Sequence, residues 1–227
     1  MLPLSRKIAI GAGVLMLGLV VALSLVFRSA LTRQPKVAAA APDWPAMTLV
    51  YRDEGKTEGL TRGTTTKVWR LSYQDARHWQ KELLEDSALS ANVGTIERLQ
   101  GTTYTAYSAV TKDTFTKEYP ASGGILVPEQ WLSPGREQAL PAKGYIQSTA
   151  ADAKQTSYAK TESLPCQPDA DGKLTGVIQP ASCATAPTYA VQETITYQRD
   201  RGLPVEISTL SGQTVIHHIV VTELSFP

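Results

Sequence analysis

Residues 8–27, IAIGAGVLMLGLVVALSLVF, run for twenty positions without a charge or a proline. As a helix rising about 1.5 Å per residue, such a run reaches ~30 Å, the thickness of a bilayer's hydrocarbon core. In lipid the backbone must satisfy its own donors and acceptors, so the run is expected to form a single transmembrane helix. Arg6 and Lys7 precede it, as in a secretory signal, and the alanines ending at Ala41 offer a small-residue cleavage pattern. The apolar run, however, exceeds the ~7–15 residues of a signal core, and the alanines lie well beyond its end. A retained anchor is favoured over cleavage near Ala41, and both readings stay open. The anchor divides the chain into a cytoplasmic tail (1–7), the transmembrane anchor (8–27), a proline-bearing linker (28–45) and an extracytoplasmic β-rich domain (46–227).

Basic residues flank the run on both sides, Arg6 and Lys7 before it and Arg28, Arg33 and Lys36 after it, so charge does not orient it. The cysteines do. Cys166 and Cys183 are the chain's two cysteines, with sixteen residues between them in a stretch rich in proline and glycine. Outside the cytoplasm they are expected to pair as a disulfide, closing a loop worth about 3 kcal/mol. A thiolate metal site would need further ligands, and only Asp169 and Asp171 lie near, so no metal is expected. The orientation follows: N-terminus cytoplasmic, C-terminal domain extracytoplasmic, a single-pass protein of the cell membrane.

Beyond the linker the hydrophobic pattern has period two. Met47, Leu49 and Tyr51 alternate with Thr48, Val50 and Arg52, and Trp69, Leu71 and Tyr73 with Val68, Arg70 and Ser72. Glycines at 55, 59 and 63 predict a loop or wide hairpin turn over 53–63. Residues 78–86 fit either a helix, through Trp79 and Leu83 four apart, or a strand pairing with 69–73; the strand is preferred. Residues 93–99 and 102–109 around Gln100-Gly101 read as a hairpin, and 111–119 as a further strand. Residues 145–163 have weak periodicity. Residues 189–198, 203–210 and 213–226 read as an antiparallel meander with tight turns between them. The fold expected is mainly β (α+β): the N-terminal transmembrane helix, then a curved antiparallel sheet or half-barrel with one or two short helices.

Residues 120–144 differ in kind, holding four prolines and four glycines around Leu126, Val127, Trp131 and Leu132. They predict a long surface excursion with a short helix at 128–132, Pro128 suiting a first turn. Long ordered loops often carry function, so Leu126, Val127, Trp131 and Leu132 are candidates for a lid or docking loop. Trp69, Leu71, Tyr73 and Trp79 are candidates for an apolar ligand-binding face, though the same side chains would equally fill a core.

Catalytic signatures are missing from the sequence: it has no Gly-x-Ser-x-Gly, phosphate-binding glycine loop or His-Glu-x-x-His. His217 and His218, adjacent on a strand, point to opposite faces and cannot chelate one ion together. The formal net charge of +1 gives no field for nucleic acid. A non-enzymatic protein without cofactor or metal, and with no nucleic-acid partner, is expected.

The run TYQRDRGLPVEISTLSGQTVIHHIVVTELSF (196–226) resembles the closing strands of extracytoplasmic lipoprotein-carrier-like proteins of the LolA and RseB type. A strand enters a turn at Gly202-Leu203-Pro204, a second strand and a polar turn follow, and the last strand ends in Thr222-Glu223-Leu224. VWRLSYQDARHW (68–79) resembles the paired strands of the same fold. The resemblance implies an unclosed half-barrel capped by helices, with a hydrophobic cavity for acyl chains; it assigns no binding residue here. The function expected is a membrane-anchored, non-catalytic extracytoplasmic domain binding lipid, lipoprotein or a lipid-like ligand on a concave apolar sheet face. The alternatives are a single-span accessory or sensor-partner subunit of a larger membrane complex and, third, an extracytoplasmic hydrolase. The partners expected are the lipid bilayer, a lipid or lipoprotein ligand, or a membrane protein complex.

Overall fold

A computed structural model of the chain describes residues 37–38, 44–57, 63–120, 125–132, 136–148, 154–166 and 186–227. All lie in the unit Lys36–Pro227. The expected tail, the transmembrane helix, the cleavage pattern at Ala41 and most of the linker lie outside the described residues. Among the described residues no helix is long and apolar enough to cross a membrane.

The domain is mainly β. Its first strands are β1 (Val37–Ala38), β2 (Met47–Thr57), β3 (Gly63–Asp75), β4 (His78–Asp86), β5 (Ile96–Gln100), β6 (Thr103–Tyr107) and β7 (Thr114–Glu118). After β8 (Ile125–Leu126) come β9 (Ile146–Ser148), β10 (Gln155–Pro165), β11 (Thr188–Gln198), β12 (Leu203–Ser211) and β13 (Thr214–Ser225). Eleven of them form one antiparallel sheet in the order β7-β6-β5-β4-β3-β2-β13-β12-β11-β10-β9, while β1 pairs with β8 apart from it. Successive hairpins carry β2 outward to the β7 edge. A meander from the opposite edge brings β13 back beside β2. Glycine makes two of the turns. Gly101 (φ 62°) and Gly212 (φ 61°) each occupy the first central position of a two-residue hairpin loop, where a positive φ matches the twist of the flanking strands.

Alternation separates two faces. Across one face run the registered rows Met47–Tyr73–Trp79–Leu99–Tyr104 and Leu224–Leu49–Leu71–Lys81–Glu97, apolar except for the last pair. Ile219, Ile207 and Ile195 continue this face across β13, β12 and β11. Thr48, Ser72, Gln80 and Arg98 form a registered row on the other face, a polar side turned to solvent. A one-residue slip in any hairpin would exchange the two sets, so burial of one face fixes the register.

The strand order decides where the middle of the chain must go. β7 and β9 are opposite edges of the sheet. Eleven strands at ~4.8 Å spacing would span roughly 48 Å if flat. The connection between them has to cross a face, and it crosses the apolar one, which the sheet curves to enclose. The described part holds a 3-10 turn at Gln130–Leu132, the short helix α1 (Arg136–Ala139) and a second 3-10 turn at Pro141–Lys143. Leu126, Trp131, Leu132 and Leu140 join the sheet's inward residues in one core cluster.

Three expectations are corrected. The excursion over 120–144 is not a surface loop where it is described; its apolar side chains are part of the core. The helix expected at 128–132 is a single 3-10 turn at Gln130–Leu132, closed by the Leu132 N–H donating to the Glu129 carbonyl three residues back. Of the loop or wide hairpin turn expected over 53–63, residues 53–57 and 63 are strand, in the antiparallel pair β2–β3, and 58–62 lie outside the described residues. Gly55 pairs with Thr65 and Thr57 with Gly63, because a glycine facing a small side chain interrupts no packing. The remaining strand expectations hold, including the choice of strand over helix for residues 78–86.

Candidate functional site

The four residues proposed for an apolar face come together on the inner side of β3 and β4. Tyr73 stands directly opposite Trp79, Leu71 opposite Lys81, and Trp69 opposite Leu83. Leu71, Tyr73 and Trp79 are buried, and Trp69 packs on the cluster half-buried. Aromatic edges meet faces around them: Trp44 against Tyr73 at 5.8 Å between centroids, and Trp79 tilted against Tyr104 at 6.2 Å. Such pairs add about 0.5–1.5 kcal/mol beyond their buried area.

The four residues proposed for the lid or docking loop lie on top of that face. Leu126, Val127, Trp131 and Leu132 are 1%, 4%, 5% and 0% exposed, so none offers itself to a partner in this arrangement. Trp131 stands edge-on to Tyr51 of β2 at 5.2 Å. The indole of Trp79 donates to the carbonyl of Leu126 at 3.1 Å, across forty-seven positions of sequence. The segment is thus bolted to two of the strands beneath it, and the two candidate sets are in contact. The Trp131 indole N–H is buried with no acceptor among the described residues.

At the centre lies a buried charge that the sequence reading did not single out. Lys81 points inward between Trp79 and Leu83, its side chain 8% exposed. Its ammonium donates to Glu129 at 2.9 Å and pairs with Glu97 at 3.1 Å, and it lies 4.6 Å from the centre of the Trp69 ring. The Tyr51 hydroxyl donates to the same Glu129 oxygen at 2.5 Å, and the Tyr104 hydroxyl to Glu97 at 3.0 Å. Burial by itself would pull the lysine's pKa down. The two carboxylates, Glu129 ahead of Glu97, outweigh it and push it up to about 12. Burial, then the neighbouring carboxylate, raises both phenols above their ordinary value, through Glu129 for Tyr51 and Glu97 for Tyr104. All three groups are therefore protonated donors at neutral pH. A buried ion pair adds little net stability against well-packed apolar residues, but breaking one side of it is expensive. Its effect is to fix where residues 125–132 sit. The signal was present in the sequence as a lysine at an inward position of an alternating strand.

The remaining titratable clusters are elsewhere. His217 bonds Asp53 at 2.9 Å on the inner face, and the Asp53 hydrogen bond raises its pKa. His218 bonds Glu206 at 2.9 Å on the outer face, so the two histidines do point apart. Among the described residues no group of three or more His, Cys, Asp or Glu is placed to hold a metal. Cys166 is disulfide-bonded, and Cys183, the partner expected for it, lies outside the described residues. A cleft of about 430 Å³ is lined by Thr48, Ser72, Gln80 and Arg98 of the polar row, by Met47, Tyr73, Trp79 and Leu99 of the apolar row, and by Phe226. Elsewhere the apolar face is filled by the chain's own residues.

No protein-family model matches the chain, and no curated relative matches it. Solved structures do show similarity. An uncharacterized conserved protein from Thermus thermophilus aligns with a TM-score of 0.42 at 8% identity, over 82% of this chain and 80% of that one. A LolA superfamily protein from Nitrosomonas europaea aligns at 0.35 and 7% identity, over 82% and 87%. A putative outer membrane lipoprotein-sorting protein domain from Vibrio parahaemolyticus aligns at 0.31 and 12% identity, over 81% and 86%. At these TM-scores the likenesses are loose, and the last two carry names from the group that residues 196–226 and 68–79 resemble.

Proposed function

We propose that the chain is a membrane-tethered, non-catalytic extracytoplasmic domain that binds a lipid, or the acyl part of a lipoprotein or lipid-like molecule, on the inner face of its sheet. Residues 125–132 act as the lid. One observation carries the reading. The aromatic and aliphatic face of Leu71, Tyr73 and Trp79 is covered by a segment with little regular structure, held by its buried apolar side chains and a few side-chain hydrogen bonds and by no strand ladder to the sheet. Strands fixed by full ladders open with the global stability of the domain. A cover held by side-chain contacts, with no backbone ladder to the sheet, opens at lower free energy. Exchanging its apolar side chains for an acyl chain keeps the face dry. The filled interior belongs, on this reading, to the closed and empty form.

The full chain, extracted gently and washed, should carry co-purified acyl lipid when its organic extract is examined by mass spectrometry. An extract holding no lipid beyond that of an unrelated single-span protein would count against the proposal. A docking role in a larger membrane complex draws support from one different observation. The edge strands β7 and β9 expose Phe115 (48%) and Ile146 (75%), and sheet edges are where a further strand can add. Size analysis after mild extraction tests it; a lone monomer opposes it. Among the described residues nothing favours the hydrolase alternative.

A further inference from the structure

The lid segment has the chemistry of a ligand. Residues 125–132 read ILVPEQWL: five large apolar side chains and a single charge, Glu129. Folded on the sheet, Leu126, Trp131 and Leu132 lie in the core over the aromatic face and the Glu129 carboxylate lies on a buried cation, the arrangement of an anionic amphiphile. Given the proposed lipid-binding role of that face, on which this inference rests, the geometry points to an anionic amphiphile as the ligand, with its acidic head taking the place of Glu129 between Lys81 and Tyr51.

The receiving groups define what the head must be. Lys81 Nζ and the Tyr51 hydroxyl converge on one oxygen of Glu129, at 2.9 and 2.5 Å. Tyr51 is 1% exposed under the lid, and a ligand that takes the lid's place covers its hydroxyl again, so the ligand itself has to supply the acceptor. When the lid leaves, a neutral apolar ligand would strand a buried phenol and one side of a buried ammonium. A carboxylate or phosphate monoester presents oxygens that accept from both. The charge balance is also kept. Lys81 already faces two carboxylates, Glu97 and Glu129, so exchange of one carboxylate for another alters no net charge in the site. Glu97 stays with its own strand and with the Tyr104 hydroxyl. The Trp131 N–H, which has no acceptor among the described residues, marks the lid as the part of the site that is not fully satisfied in the closed form.

The test compares dodecanoate with methyl dodecanoate, which share a chain and differ in the charge of the head. The full chain in phosphatidylcholine nanodiscs at pH 8 is titrated with each, followed by tryptophan fluorescence and calorimetry, with empty discs as blank. Dodecanoate is expected to bind at least tenfold more tightly than the ester. Glu129→Gln should tighten dodecanoate several-fold by weakening the internal competitor, and Lys81→Met should abolish the preference. Equal affinity for acid and ester in the parent protein overturns the anionic-head assignment while leaving the lipid-site reading intact. Binding of neither compound, to the parent or to Glu129→Gln with an unchanged circular dichroism spectrum, overturns both. The comparison in the parent protein stands by itself if Lys81→Met fails to fold.

Discussion

Replacing Glu129 by glutamine should open residues 125–132 without unfolding the sheet. The side chain keeps its size, and one oxygen can still accept a hydrogen bond. What changes is the charge. Two hydrogen bonds to a carboxylate, from Lys81 and Tyr51, become bonds to a neutral amide. Charged hydrogen bonds are worth about 1.5–3 kcal/mol and neutral ones about 0.5–1.5; the Tyr51 bond becomes neutral while the Lys81 bond keeps its charged donor and loses only the ion pair, so the two changes amount to about 1–2 kcal/mol. Glu129 is 24% exposed, so solvent screening keeps the figure in this range, and Lys81 retains Glu97. A net loss of about 1–2 kcal/mol corresponds to a 5- to 30-fold rise in the open population. Hydrogen exchange with peptide-level readout measures it: amides of 125–132 should exchange 5- to 30-fold faster, while those of β2 and β3 keep their protection. Unchanged protection over 125–132 would refute the role given to Glu129. An equal loss across β2, β3 and the segment would refute the idea that the cover opens as a separate unit.

Other perturbations act on the sheet itself. Leu71→Ala removes a side chain that is 0% exposed at the centre of a cross-strand row, and should lower global stability by about 2–5 kcal/mol in urea unfolding. Alkaline titration should leave stability flat to about pH 10 and then lower it. Lys81, held up to about 12, and the raised phenols of Tyr51 and Tyr104 keep their protons in the folded state above the pH at which the unfolded chain releases them. The lysine contribution, about 2 kcal/mol, is present in full below pH ~10.5 and disappears as pH rises through 12. Glu129→Gln should shrink that alkaline step, and calorimetric scans between pH 8 and 12 record it. Non-reducing peptide mapping should recover Cys166 joined to Cys183, and reduction should lower stability by about 3 kcal/mol.

The strands were legible because a half-buried antiparallel strand writes its two faces into alternate positions. Trp69–Leu71–Tyr73 and the meander after 188 did so without ambiguity, and the turns at Gly101 and Gly212 punctuated them. Residues 78–86 admitted a helix because Trp79 and Leu83 suit both periods; pairing with β3 decided between them. What was not legible was non-local. No pattern in the chain says that β13 returns to lie beside β2, and that neighbourhood places β7 and β9 on opposite edges and sends the connection across the apolar face. Proline and glycine in 120–144 announced irregular backbone, which is a statement about dihedral angles and not about burial. For the same reason Leu126, Val127, Trp131 and Leu132 stood out as a group while their contacts with Trp79 and Tyr51 did not. Lys81, a charge at an inward position of an alternating strand, was not singled out, and its partner Glu129 lies forty-eight residues away.

The claim that residues 125–132 are an exchangeable cover over a lipid face is tested most directly by photolabelling. A palmitate carrying a diazirine near its chain end, irradiated with the full-length protein and mapped by peptide sequencing, should leave adducts on the inner-face peptides spanning Trp69 to Trp79 and on 125–132. Adducts confined to the apolar run at 8–27, with none on either candidate set, would contradict it.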